Sequence, residues 1–137
     1  MEKAQENALK IAEWLKLQKP ITRVIYPGLP EHSGHETMKK QARGFGAMLT
    51  FQLESKEFAL SILEKVCMIK FAESLGGVET LITYPTTQTH ADVPQEIREK
   101  NGITESTLRL SVGIENAEDL IYELEKVFQE TERELNV

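Results

Sequence analysis

The stretch TLRLSVGIE, residues 107 to 115, alternates apolar and polar side chains with almost no interruption. A β-strand turns successive side chains to opposite faces, so Leu108, Leu110, Val112 and Ile114 are predicted to share one face. Thr107, Arg109, Ser111 and Gly113 then share the other. A second stretch, FGAMLTFQL, repeats the pattern with Phe45, Ala47, Leu49, Phe51 and Leu53 on one side. Strands with one apolar face belong to a sheet covered on one side only, which is the habit of antiparallel rather than parallel sheets. The pattern therefore predicts an α+β fold, a mostly antiparallel sheet with helices on one face.

The covering helices are legible. Ala4, Ala8, Ile11, Ala12 and Leu15 recur three and four apart, and Pro20 ends that segment. HETMKKQA predicts a short helix. Ser55 is placed to cap a helix that sends Phe58, Ala59, Ile62, Leu63 and Val66 inward. Asn116 is placed to cap a last helix with a stripe of Leu120, Ile121, Leu124, Val127 and Phe128, and Glu118 and Asp119 suit its first turn. ITRVI, VCMIKFA and LITYP read as further strands. Asp92 and Pro94 on one side and Gly102 on the other bracket one small helix between a cap and a left-handed stop. No internal repeat or low-complexity tract interrupts the chain, and residues 1–137 are expected to form a single domain whose opening helix, 1–19, leads into the rest.

A formal charge of -6 over 137 residues disfavours nucleic acid and anionic membrane as partners, because both are bound through clustered Lys and Arg. The opening MEKAQENALK has no apolar run of the secretory kind, so a cytoplasmic location is expected. The single cysteine, Cys67, sits in an apolar run and is expected to be a buried small hydrophobe. His32 and His35 lack the further ligands a metal site needs and are expected to serve a polar turn. His90 reads as a loop hydrogen-bonding residue. Gly44 and Gly46 precede a strand rather than a helix, so they are no phosphate loop.

One stretch resists a purely structural account. ESLGGVETLITYP, residues 73 to 85, places a carboxylate, a hydroxyl and paired glycines before a short apolar run. Together with YPGLPEHSGHE, GFGAMLTFQL and LRLSVGIE it resembles the carboxy-terminal domain of the Cys/Met-metabolism family of pyridoxal-phosphate enzymes. That family includes cystathionine γ-synthase, cystathionine γ-lyase, cystathionine β-lyase and methionine γ-lyase. The resemblance runs in order from about Val24 to the last helix and corresponds to roughly the final third of a family chain. It implies the small domain of a fold-type I enzyme acting on C–S bonds of sulfur amino acids. It also implies a substrate-binding role for Ser74 and for Arg109, which would grip the α-carboxylate, as a guanidinium can with two parallel hydrogen bonds. Glu73, expected to join them as a substrate-binding residue, resembles the γ-synthase and γ-lyase members, where β-lyases tend to place an aromatic residue.

The family's Schiff-base lysine, its pyridine-nitrogen aspartate and its phosphate-holding groups belong to the preceding large domain, and no matching motif occurs here. Lys10, Lys16 and Lys19 lie on or beside the first helix. No residue of this chain is therefore expected to be catalytic or to bind pyridoxal phosphate. Two functions fit: a portion of a transsulfuration enzyme that supplies the carboxylate clamp to a large domain, or a free-standing amino-acid-binding or dimerisation module. Under either, the face of Arg109 is expected to be open or covered by self-association, and a homo-oligomer is expected.

Overall fold

In the computed structural model, which describes residues 1–88 and 90–137, apolar periodicity and helix position agree closely. Helix α1 spans Glu2–Lys16, with Ala4, Ala8, Ile11, Ala12 and Leu15 all buried. After it come strand β1 (Ile21–Ile25) and the short helix α2 (His35–Gln41). Strand β2 covers Met48–Leu53, and its burial alternates as the sequence requires. Helix α3 (Lys56–Lys65) is capped by Ser55, whose side chain accepts from the Phe58 N–H at 3.1 Å. Strands β3 (Lys70–Phe71) and β4 (Leu81–Thr83), helix α4 (Gln95–Lys100) and strand β5 (Thr107–Ser111) follow. Helix α5 (Ala117–Leu135) starts from the Asn116 cap and ends with Asn136 in the left-handed region. No described helix is long and apolar enough to cross a membrane.

The strand order is β1-β2-β5-β4-β3, so β5 is central. Three of the four pairings are antiparallel, and β3 runs parallel to β4, which makes the sheet mixed. Helix α5 packs against α1 and α3, while α1 lies on β1 and β2 and α3 on β2 and β5. Leu49, Phe51 and Leu53 from β2, Leu108 and Leu110 from β5 and Ile82 from β4 fill the layer between sheet and helices. Phe128 of α5 joins the helices, 5.7 Å from Trp14 and edge-on to Phe58 at 5.9 Å between ring centres.

Four sequence expectations need correction. VCMIKFA yields only the two-residue β3, and Cys67 is exposed rather than buried. The cause is Glu123 of α5, whose carboxylate accepts the backbone N–H groups of Cys67, Met68 and Ile69 at 2.7, 2.6 and 2.8 Å. Those donors are taken from any ladder, so the backbone turns and only Ile69 points inward. Ile114 is 51% exposed, because β5 ends at Ser111 and the alternation stops there. Asp92 is not the cap of α4, which starts after Pro94 without a side-chain cap bond, although Gly102 does take a positive φ of 81°.

The turns show what their polar residues do. His32 Nδ1 accepts from the Gly34 N–H at 2.9 Å, and His35 Nδ1 lies 2.7 Å from the Pro27 carbonyl while its ring stacks on Phe45. Gln5 of α1 accepts the Phe45 and Gly46 N–H groups. Tyr26, 1% exposed, donates its phenol proton to the Gly46 carbonyl at 2.8 Å, and burial pushes its pKa up to about 12. An unfolded tyrosine ionises near 10. The stabilisation is therefore fully present below about pH 10 and is lost as pH rises from there toward 12. In alkaline unfolding followed by circular dichroism, Tyr26→Phe is expected to be less stable at neutral pH. Its stability should also fall less steeply than that of the wild type between those two pH values.

Candidate functional site

Arg109 sits in the middle of the central strand, paired with Thr50 of β2 on one side and Thr83 of β4 on the other. Its neighbours point away from the helices, and together they make a polar sheet face that includes Gln52, Thr107 and Ser111. Arg109 is half-buried. Its Nε is fully buried and has no hydrogen-bond partner among the described residues. A buried unpaired donor carries a desolvation cost that an oxygen acceptor would relieve.

Thr83, Thr107 and Ser111 on this same face are buried, at 2%, 0% and 3% exposure, where an uncovered face was expected. The segment between β3 and β4 supplies part of the cover. Parallel neighbours need a crossover, and residues 72–80 provide it by running across the polar face and back. Its first residue, Ala72, gives its carbonyl to the Thr83 hydroxyl at 3.0 Å. Gly76, with φ of 74°, donates its N–H to Ser111 Oγ at 2.8 Å. A side chain at Gly76 would meet nothing within 4 Å, so glycine is needed for the backbone conformation and not for space.

A polar knot holds the return of the segment. Thr80, fully buried, donates both its N–H and its hydroxyl to the Glu115 carboxylate at 2.8 Å, while its hydroxyl accepts the Gly113 N–H at 2.9 Å. From α1, buried Asn7 donates to the carbonyls of Gly113 and Glu115 at 3.1 and 2.6 Å. Gly113 has no room for a side chain, because a Cβ there would lie 2.1 Å from the Val78 carbonyl oxygen. Glu73 and Ser74 are exposed on the crossing segment, between its Ala72 and Gly76 attachments. The segment that carries them thus lies on the face of Arg109. Sequence alone assigned no role to Thr83, Ser111, Thr80, Asn7 or Glu115; the placement of Ser111 on the Arg109 face was the available signal for one of them.

Among the described residues no group of three or more His, Cys, Asp or Glu side chains is arranged to hold a metal ion. For pyridoxal phosphate the requirement is an amine free to form an imine, with anion-binding groups around it. Lys70, the lysine in a strand, donates its Nζ to the Cys67 carbonyl at 2.6 Å at the sheet edge. The polar face offers a guanidinium and hydroxyls, which suit a carboxylate, and does not make a cofactor cradle. No chemical step through the cofactor follows from these residues.

A mixed sheet of this order, covered by helices on one side, is the fold of the small domain of fold-type I pyridoxal-phosphate enzymes. It superposes on cystathionine γ-synthase from Xanthomonas oryzae pv. oryzae, solved in complex with cystathionine, with a TM-score of 0.92, 41% identity and coverage of 97% of this chain and 35% of that one. The chain belongs to the Cys/Met metabolism PLP-dependent enzyme family, whose pattern it matches over residues 1–129. The match therefore reaches back through α1, beyond the Val24 at which the sequence motifs begin. Cystathionine beta-lyase MetC of Bacillus subtilis (strain 168) is 48% identical over 130 residues, which are 95% of this chain and 33% of that protein. Cystathionine gamma-synthase of Escherichia coli (strain K12) is 46% identical over 130 residues, 94% of this chain and 34% of the relative. The chain spans about a third of the length of these curated relatives.

Proposed function

We propose that this chain is the carboxy-terminal portion of a pyridoxal-phosphate-dependent transsulfuration enzyme that works on C–S bonds of sulfur amino acids, and that it supplies the clamp for the substrate α-carboxylate. The observation that carries the reading is the buried, unpartnered Nε of Arg109 at the centre of a polar sheet face. A carboxylate accepting from this guanidinium would complete its hydrogen bonding and be held in one orientation, because the strand fixes the base of the side chain. Ser74 and Glu73, on the segment attached beside it, contribute a hydroxyl and a carboxylate to the same substrate. In the family reaction the bound cofactor supplies the electron sink, and the part of this chain is to bind and orient. Relatives named cystathionine beta-lyase and cystathionine gamma-synthase both match this chain, at 48% and 46% identity.

A chimera tests this. With the present chain in place of the corresponding third of the Escherichia coli cystathionine γ-synthase, the enzyme is expected to bind its cofactor and turn over. Arg109→Ala in that chimera is expected to lower kcat/KM by roughly tenfold or more, the value of one charge-assisted contact. Unchanged kcat/KM in a folded, cofactor-bound Arg109→Ala chimera would remove the clamp assignment.

A second reading, self-association as a free-standing module, is favoured by three apolar side chains, Leu75 and Val78 on the crossing segment and Ile114 beside it, exposed to 56%, 65% and 51%. Sedimentation velocity of the chain alone distinguishes the cases: a dimer that Ile114→Glu dissociates supports it, and a monomer at high concentration opposes it.

A further inference from the structure

The attachments of the crossing segment bracket Arg109. Thr83 is its direct cross-strand partner on β4, and Ser111 lies two residues further along β5 on the same face. Thr83 Oγ1 holds the Ala72 carbonyl at 3.0 Å, and Ser111 Oγ holds the Gly76 N–H at 2.8 Å. Only Glu73, Ser74 and Leu75 lie between. Both hydroxyls are almost completely buried, whereas all three of the residues they suspend are exposed. A buried hydroxyl that spends its hydrogen bond on a loop backbone fixes that loop relative to its own strand.

We infer that Ser111 and Thr83 are positioning residues that set the Glu73–Leu75 span against Arg109, so that Ser74 and the guanidinium address the same bound amino acid. This rests on the carboxylate-clamp reading of Arg109 for its functional meaning, but the tethers themselves are geometric. A tripeptide joined to the sheet at both ends has few ways to move, and the positive φ of Gly76 aims its N–H at Ser111. With the Ser111 tether removed, the span is held from one end, at Ala72, whose backbone N–H also stays bonded to the Ile82 carbonyl at 3.1 Å. Arg109 keeps its place in β5, and the register between the two halves of the site is lost.

Nuclear magnetic resonance on the full chain separates the possibilities, using Ser111→Ala, Thr83→Val and the conservative Ser111→Thr. Without ligand, Ser111→Ala is expected to speed hydrogen exchange at the Gly76 amide by at least tenfold and to shift the Ser74 amide resonance. The Leu108 and Leu110 amides should keep their protection, and Ser111→Thr should restore that of Gly76. With L-cystathionine added, the wild type is expected to show shifts at both Arg109 Nε–H and the Ser74 amide. In Ser111→Ala the Arg109 response should persist and the Ser74 response should fall to less than half, and Thr83→Val, in which Ala72 keeps its bond to the Ile82 carbonyl, should show the smaller fall. Gly76 exchange and Ser74 shifts unchanged in Ser111→Ala would overturn the inference, as would Ser74 and Arg109 responses that stay coupled in that variant. A wild type with no Arg109 response would instead sink the clamp reading, and the exchange data would still decide on the tethers.

Discussion

Arg109→Ala is expected to weaken binding of a free amino acid by roughly tenfold to a hundredfold, since a hydrogen bond to a charged group contributes about 1.5–3 kcal/mol. The fold should hardly register the change. The Arg109 side chain makes no ion pair or hydrogen bond to a described residue, and its Nε is buried without a partner, so its removal leaves no acceptor stranded. Removing a buried donor that has no partner also relieves a desolvation cost, which offsets the packing lost with the side chain. Calorimetric titration with L-cystathionine, paired with thermal unfolding of the same samples, checks both halves. An Arg109→Ala chain that unfolds well below the wild type would make Arg109 a structural residue.

The next residue along the strand is expected to behave in the opposite way. Leu110 is fully buried and pairs across the sheet with Leu49 and Ile82, in the layer beneath α1, α3 and α5. Leu110→Ala removes its transfer free energy and leaves a cavity, at a cost of about 2–5 kcal/mol. For a domain of this size that lowers the midpoint of unfolding by on the order of 10 °C or more. Ligand affinity measured well below that midpoint should stay within about twofold, because the side chain faces the helices and adds nothing to the polar face. Equal losses of affinity and stability in both variants would mean that the two faces of β5 are not separable.

This division of labour was legible because alternation is local. TLRLSVGIE and FGAMLTFQL assign Arg109 and Leu110 to opposite faces before any tertiary contact is considered, and the caps Ser55 and Asn116 mark helix starts through their own short-range bonds. What the sequence hid depends on partners far along the chain. Cys67 looks like strand interior until Glu123, some fifty-five residues away, takes the N–H groups of the turn. Asn7 looks like one more polar residue on the first helix, yet it is buried because the carbonyls of Gly113 and Glu115 end beside it. The glycines of ESLGG fit either a close backbone approach to a ligand or a simple loop, and the role of Gly76 appears only with the strand order. A parallel pair, β3 and β4, needs a crossover, and Gly76 gives that crossover the left-handed residue that reaches Ser111. The family resemblance named Ser74 and Arg109 together; the tethers supply the physical means of bringing their segments onto one face.

The most direct test of the clamp follows the Arg109 Nε–H resonance in ¹⁵N-labelled chain during titration with L-cystathionine and, separately, with an analogue whose α-carboxylates are converted to amides. If Arg109 grips the α-carboxylate, the acid shifts this resonance downfield in a saturable way, and the amide leaves it in place, because the charged acceptor that completes the guanidinium is missing. A resonance that stays still with both, or moves equally with both, would contradict the clamp.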